Sequence, residues 1–296
     1  MKLFLHRRWA LLPLLLLGMQ GVTAAPPPFA DVHTHFNWDQ EEVLDAGQVA
    51  ALLVREGVAF TVASSTPSDF VLKLKAAAGE RVIALFSPYV TPDGRRTWYR
   101  DKGVLTRARQ ALASGHYAGL GEVHLMAGRR PRRDNAVFQG LLQLAREFRV
   151  PVLIHVDASR PDYLRPICQG YPEVRFLLAH AGGILRPAAI EQLLGDCPNL
   201  WVEFSARDPW RYDGLTDGAG HLLPGWRTLV ERYPARFMVG TDPVWGVTRT
   251  QRWDEPDEGW THFGQLLDYH RRWLAELPPA TEARLRLDNA RQFFQR

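Results

Sequence analysis

Phe29–Phe36, reading FADVHTHF, is a short apolar run that ends in two histidines with one residue between them. On a β-strand alternate side chains share a face, so His33 and His35 point the same way, roughly 7 Å apart along the strand. Two neutral imidazoles aimed at one spot from a strand end make half of a metal site. Alone, the pair also suits two surface or hydrogen-bonded histidines. What it belongs to is decided further along the chain.

Strand-like and helix-like runs alternate beyond this point. The apolar runs that read as strands are Phe29–His35, Ala59–Ser65, Arg81–Pro88, Tyr117–His124, Pro151–Asp157, Arg175–His180, Leu200–Ser205 and Arg236–Asp242. Between them lie segments with apolar residues at helical spacing, among them Glu42–Arg55, Ala136–Phe148 and Ala188–Leu194. Near-continuous apolar strands alternating with helices predict a parallel sheet covered by helices. Eight such units favour a closed (β/α)8 barrel of the TIM type, an α/β fold, over an open doubly wound sheet. No G-x-G-x-x-G or Walker sequence follows any strand, which counts against nucleotide binding. The longer loops fall at Thr91–Thr97, Gly128–Asp134, Arg207–Gly225 and Gly246–Gly259.

Chemistry in such a barrel sits at the carboxyl ends of the strands. Those ends carry His33 and His35 on the first strand, Glu122 on the fourth, His155 on the fifth (PVLIHVD), His180 on the sixth (FLLAHAGG) and Asp242 on the eighth (FMVGTDPVW). Taken singly, a histidine here reads as a hydrogen-bonded core residue and Asp242 as part of a turn. A ligand-type residue at the mouth end of five different strands predicts a metal site. Four imidazoles and two carboxylates suit a borderline divalent ion, zinc first, then manganese or iron. Such an ion brings the pKa of water to about 7 and polarises a carbonyl or phosphoryl oxygen under attack. Asp242 is then the candidate to take the proton of that water and return it to the leaving group.

The motifs DVHTH, PVLIH, LLAHAGG, VGTD and the closing DNARQFF resemble the amidohydrolase superfamily, in particular its amidohydrolase-related branch. The resemblance spans nearly all of the chain beyond the leader and implies a distorted (β/α)8 barrel with one or two divalent metals. It matches His33 and His35 to the strand-1 ligands, His155 to the strand-5 ligand and His180 to the strand-6 histidine. Asp242 matches the strand-8 aspartate that acts as the proton acceptor, so that Asp242 and His180 are the implied catalytic pair. The departure is at strand 4, where many two-metal members carry a lysine. Glu122, in GLGEVHL, resembles instead the bridging glutamate of TatD-type nucleases and some dipeptidases, and favours two ions.

The expected activity is therefore metal-dependent hydrolysis of an amide, ester, lactone or phosphoester in a small molecule. The rivals are a metal-dependent decarboxylase of a small carboxylic acid and a non-catalytic metal- or solute-binding barrel. His124 lies two residues beyond Glu122 on the same strand face and is a candidate substrate contact. Glu203 and Ser205 share a face on strand 7, and an inward Glu203 needs a partner such as a histidine N–H or an arginine. Arg160, Arg207 and Arg249, the Arg129–Arg133 run and the aromatic residues Trp38, Trp98, Trp210, Tyr212 and Trp245 all fall in expected mouth loops. There they would recognise a carboxylate or phosphate, or line an apolar pocket.

The totals set the remaining bounds. The chain has 296 residues, 46% hydrophobic and 23% charged, enough for a sizeable core. Lys2, Arg7 and Arg8, then an apolar stretch over Trp9–Met19, then Val22-Thr23-Ala24-Ala25 before a proline run, form a secretory signal pattern. Cleavage is expected after Ala24, leaving residues 25–296 as one barrel domain in the periplasm or secreted, with no membrane attachment. The formal charge is +4, from 36 basic and 32 acidic residues, and removing the leader's three basic residues leaves 33 against 32. A nearly neutral protein argues for a small-molecule partner and against nucleic acid. Self-association into a homo-oligomer stays open. Cys168 and Cys197 both precede strands late in helical segments, so in an oxidising compartment they could pair, with two packed thiols as the alternative.

Overall fold

The structure, a computed structural model, describes residues 27–126, 131–157, 160–247 and 255–294. The leader, Arg129, Arg130 and Arg249 lie outside the described residues. Eight strands run in chain order: β1 (Phe29–His35), β2 (Val58–Ser64), β3 (Val82–Phe86), β4 (Gly119–Met126), β5 (Val152–Asp157), β6 (Phe176–Leu178), β7 (Leu200–Glu203) and β8 (Phe237–Met238). Each pairs in parallel with the next, in the order β1 to β8. The ring closes where the Val32 amide donates to the Val239 carbonyl at 3.0 Å and the Asp242 amide to the His33 carbonyl at 2.7 Å. This is the expected (β/α)8 barrel. No helix among the described residues is long and apolar enough to cross a membrane.

Two apolar layers hold it together. The larger lies between the outward strand faces (Val82, Ile154, Phe176, Phe237) and the surrounding helices (Leu53, Leu141, Ile190, Phe263). The smaller fills the barrel with Ala30, Val32, Phe60, Val62, Leu85, Leu153, Leu177 and Met238, together with Leu287, Ala290 and Phe293 of the C-terminal segment. That segment seals the amino end of the barrel. Arg286 donates to the Pro28 carbonyl, and Asn289 Nδ2 donates at 2.7 Å to the carbonyls of both Pro234 and Phe237. With one end closed by apolar side chains, the other is left for polar chemistry.

Strict alternation along the strands would not deliver the ligands to that end. Ala30 and Val32 face the barrel interior, so the next inward residue by alternation is Thr34. Yet β1 pairs with β2 as Asp31 with Thr61 and then Thr34 with Ala63, three steps against two. The extra residue turns His33 and His35 inward. β4 does the same. Leu120, Val123 and Leu125 all pack on the helix side, and the pairing steps from Leu120–Val152 to Val123–Ile154. Without that bulge Glu122 and His124 would share Leu120's outward face. The bulge passes through Gly121 at φ 147°, where a Cβ would come within 2.6 Å of Leu153 Cβ, so only glycine fits.

Several elements are shorter than their sequence patterns suggest. The expected helix Glu42–Arg55 is two, Gln40–Val43 and Ala46–Arg55, because the Asp45 side chain caps the second by accepting from the Gln48 amide. β6 stops at Leu178, just before His180 and Ala181 take left-handed backbone conformations at φ 56° and 47°; β8 is only Phe237–Met238, and Asp242 beyond it is left-handed at φ 48°. Such conformations are costly for residues other than glycine and cluster at functional sites. Cys168 and Cys197 form a disulfide, with Cα atoms 5.8 Å apart, tying together the helices Arg165–Gly170 and Pro187–Asp196.

Candidate metal centre

The interior bulges and the left-handed turns bring the strand-end residues to one place at the barrel mouth. His33 Nε2 lies 3.1 Å from His35 Nε2, and Asp242 Oδ1 lies 3.4 Å from His35 Nε2. Glu122 sits between two sets of imidazoles. Its Oε2 is 3.6 Å from His33 Nε2 and 3.3 Å from His35 Nε2, while its Oε1 is 2.8 Å from His155 Nδ1 and 3.3 Å from His180 Nε2. His155 Nδ1 and His180 Nε2 are 3.1 Å apart. All six residues expected to bind metal therefore converge.

The far sides of the rings are held as well. His33 Nδ1 meets Glu203 Oε1 at 2.9 Å, His180 Nδ1 meets Ser205 Oγ at 2.8 Å, and His35 Nδ1 meets Ser64 Oγ at 3.1 Å. A hydrogen bond on one ring nitrogen sets the tautomer and aims the other, which for these three is Nε2 toward the centre. Glu203 is wholly buried and also accepts from the His180 and Ser205 amides at 2.8 and 2.6 Å. Burial pushes its pKa up, but His33 and the hydrogen bonds prevail and hold it at about 2. Burial likewise opposes ionisation of Glu122, yet the imidazoles around it keep its carboxyl well below the usual range.

This donor set fits a divalent cation. Asp242 Oδ1 is buried with no hydrogen-bond partner among the described residues, an arrangement that costs on the order of 1–3 kcal/mol or more unless something positive faces it. Imidazole nitrogens and carboxylate oxygens crowded at 2.8–3.6 Å are what a cation would draw together.

The cavity above the centre has a volume of about 400 Å³. His124, Arg95, Trp210, Arg211, Tyr212 and Trp245 line it with the ligands. Among the expected substrate contacts, His124 and Trp245 are in the wall and three are not. Glu203 lies beneath it, turned to His33 because its only way to stay charged when buried is to accept hydrogen bonds. Arg207 is buried against the Trp226 ring and donates to the Leu185 carbonyl. Arg160 points to solvent and pairs with Asp162 at 2.7 Å. Arg132 and Arg133 are spent on Asp134 and on carbonyls of Asp162 and Tyr163. Trp98 packs inside the segment that follows β3 at 2% exposure, and Trp38 is 37% exposed.

Tyr89, Arg95 and Arg211 also stand at the mouth, although no strand-end motif marks them. Arg211 is tied down by Asp208 and donates to the main-chain carbonyls of Thr241 (2.7 Å) and Asp242. It thereby holds the left-handed turn that aims Asp242. The signal for it was present in the RDPWRYDG segment, but nothing in a loop sequence says which arginine folds back. Tyr89 and Arg95 follow β3, whose end carries no ligand-type residue to draw attention.

A parallel barrel with this cluster at its carboxyl rim is an α/β barrel with a candidate metal site. The chain belongs to the amidohydrolase family, whose model matches residues 30–296. A search of curated proteins returns no match. Solved structures share the fold at low identity. An amidohydrolase from Burkholderia multivorans with bound zinc is 16% identical, with TM-score 0.54, over 90% of this chain and 99% of that one. A TatD homologue, YjjV, from Escherichia coli K12 is 18% identical, with TM-score 0.61, over 90% and 98%. A dihydroxybenzoic acid decarboxylase from Polaromonas sp. JS666, with bound manganese and 2-nitroresorcinol, is 10% identical, with TM-score 0.57, over 90% and 97%.

Proposed function

We propose that this protein is an exported, metal-dependent hydrolase of a small molecule bearing an amide, ester, lactone or phosphoester. His33, His35, Glu122, His155, His180 and Asp242 would hold the metal. The two oxygens of Glu122 face different imidazole sets, which favours two ions, with zinc first and manganese or iron next. A bound cation of this kind supplies Lewis acidity, making water a nucleophile near neutral pH and polarising the bond under attack. Asp242 accepts the proton of the attacking water through Oδ1 and passes it to the leaving group. His180, held through Nδ1 by Ser205, faces the same point and stabilises charge there. Trp210, Tyr212 and Trp245 exclude bulk water from a cavity of about 400 Å³, a size that suits a small molecule.

The observation that carries this reading is the buried Asp242 Oδ1, which has no hydrogen-bond partner among the described residues and lies 3.4 Å from His35 Nε2. Pure metal storage needs no such base. Asp242→Asn should lower turnover of an ester, lactone, amide and phosphoester panel by about 10²–10⁴. Less than stoichiometric metal after zinc or manganese supplementation, or unchanged turnover in Asp242→Asn, would overturn it. A second reading, decarboxylation of a small carboxylic acid, is favoured by the aromatic and basic cavity wall and by the fold likeness to the Polaromonas enzyme. Release of carbon dioxide instead of a hydrolysis product would decide for it. Export is supported by the leader pattern and by the Cys168–Cys197 disulfide, which fits an oxidising compartment.

A further inference from the structure

On the β3–β4 side of the mouth stands a three-residue arrangement that the metal centre does not use. Tyr89 Oη is 2.6 Å from His124 Nδ1 and accepts from the His124 main-chain amide at 2.9 Å. Tyr89 is 3% exposed, so its hydroxyl proton needs an acceptor, and His124 Nδ1 is the one beside it among the described residues. With Nδ1 accepting, the imidazole carries its proton on Nε2. The surroundings of Nε2 agree, because Glu122 Oε2 lies 3.4 Å away, where a lone pair would be repelled and an N–H is welcome. His124 Nε2 also lies 3.4 Å from Arg95 Nη2. The Arg95 N–H is aimed at Nε2, which cannot accept it once protonated, so two donors crowd at 3.4 Å in the cavity wall. Arg95 makes no ion pair with a carboxylate among the described residues, and Asp39 feels its field only from beyond ion-pairing distance.

We propose that Arg95 and His124 form a carboxylate-binding subsite, with Tyr89 as the positioning residue that makes His124 an Nε2–H donor and excludes it from the metal ligands. Two adjacent donors with one fixed positive charge match the two oxygens of a carboxylate. The substrate class narrows accordingly, to a small molecule carrying a carboxylate a few ångströms from the bond that reacts. The inference rests on reading this cavity as the substrate site, and it sets His124 apart from Glu122 and His155, whose donor atoms lie close enough to it to share a cation.

The test compares isophthalate with 3-carbamoylbenzoate, nearly the same shape with one carboxylate made neutral, by calorimetric binding to the zinc-loaded protein. The wild type should prefer isophthalate by about tenfold or more, the usual range for charge-assisted hydrogen bonds. In Arg95→Gln the preference should fall below about threefold. No preference in the wild type, or an unchanged one in Arg95→Gln, would overturn the subsite. Nitrogen-15 NMR of histidine-labelled protein reads the tautomer independently. It should show His124 protonated at Nε2 in the wild type and a mixed or reversed state in Tyr89→Phe. Protonation at Nδ1 in the wild type, or a tautomer indifferent to Tyr89→Phe, would remove Tyr89 from its role. Neither readout needs turnover, so failure of the hydrolase reading through turnover or metal content would be seen separately.

Discussion

Replacing Glu203 with glutamine tests whether the barrel stakes stability on holding its first histidine. The carboxylate takes four hydrogen bonds: His33 Nδ1, the His180 amide and Ser205 Oγ on Oε1, and the Ser205 amide on Oε2. Glutamine keeps one oxygen but sets an NH2 group against the Ser205 amide, donor facing donor. One buried N–H left unsatisfied costs about 1–3 kcal/mol, and the remaining bonds lose their charge assistance. The titration of the group gives a second route to the magnitude. Burial alone would raise the pKa, but His33 and the hydrogen bonds hold it at about 2. Against an unfolded value of about 4.3, this corresponds to about 3 kcal/mol. Because the folded pKa is depressed, that stabilisation is complete above the unfolded pKa and lost as pH falls toward 2. Urea unfolding of metal-free protein should therefore show Glu203→Gln about 3 kcal/mol less stable at pH 7, with the gap near half that at pH 3. Competition with a chelator should show zinc bound about 10–100-fold more weakly. A difference under about 1 kcal/mol that does not change with pH would refute the reasoning.

Further outcomes follow from the same geometry. A Cβ at Gly240 would lie 2.7 Å from His33 Cβ and 3.0 Å from Glu203 Oε2, so Gly240→Ala should cost about 1–3 kcal/mol and lower zinc content, read by thermal melting and metal analysis. The disulfide closes a sequence separation of 29 residues, and Cys168→Ser with Cys197→Ser should lower unfolding free energy by about 3–4 kcal/mol in urea titration. Amino-terminal sequencing of protein recovered from the secretory route should begin at Ala25, and retention of the leader would count against export.

Much of the centre was legible because ligand chemistry restricts residue type. His33, His35, Glu122, His155, His180 and Asp242 stand out at strand ends where apolar residues would otherwise continue, and the structure brings all six together. The cavity wall was far less legible. Arg207 and Arg160 carry the same charge as Arg95 and Arg211, but one is buried on Trp226 and the other faces water. Loop arginines are sorted by where the chain folds back, and no local pattern records that.

From its order of apolar strands and amphipathic helices alone, the chain already specified a parallel barrel with a histidine- and carboxylate-rich rim, since periodicity and residue chemistry are local properties. Which way those residues face was settled only in three dimensions. A strict two-residue repeat from Ala30 and Val32 would have turned His33 and His35 out into the helices, and one from Leu120 would have done the same to Glu122. The extra residue in β1 and in β4 exists only relative to the strands beside them, so inter-strand pairing, not any single strand, aims the candidate ligands inward.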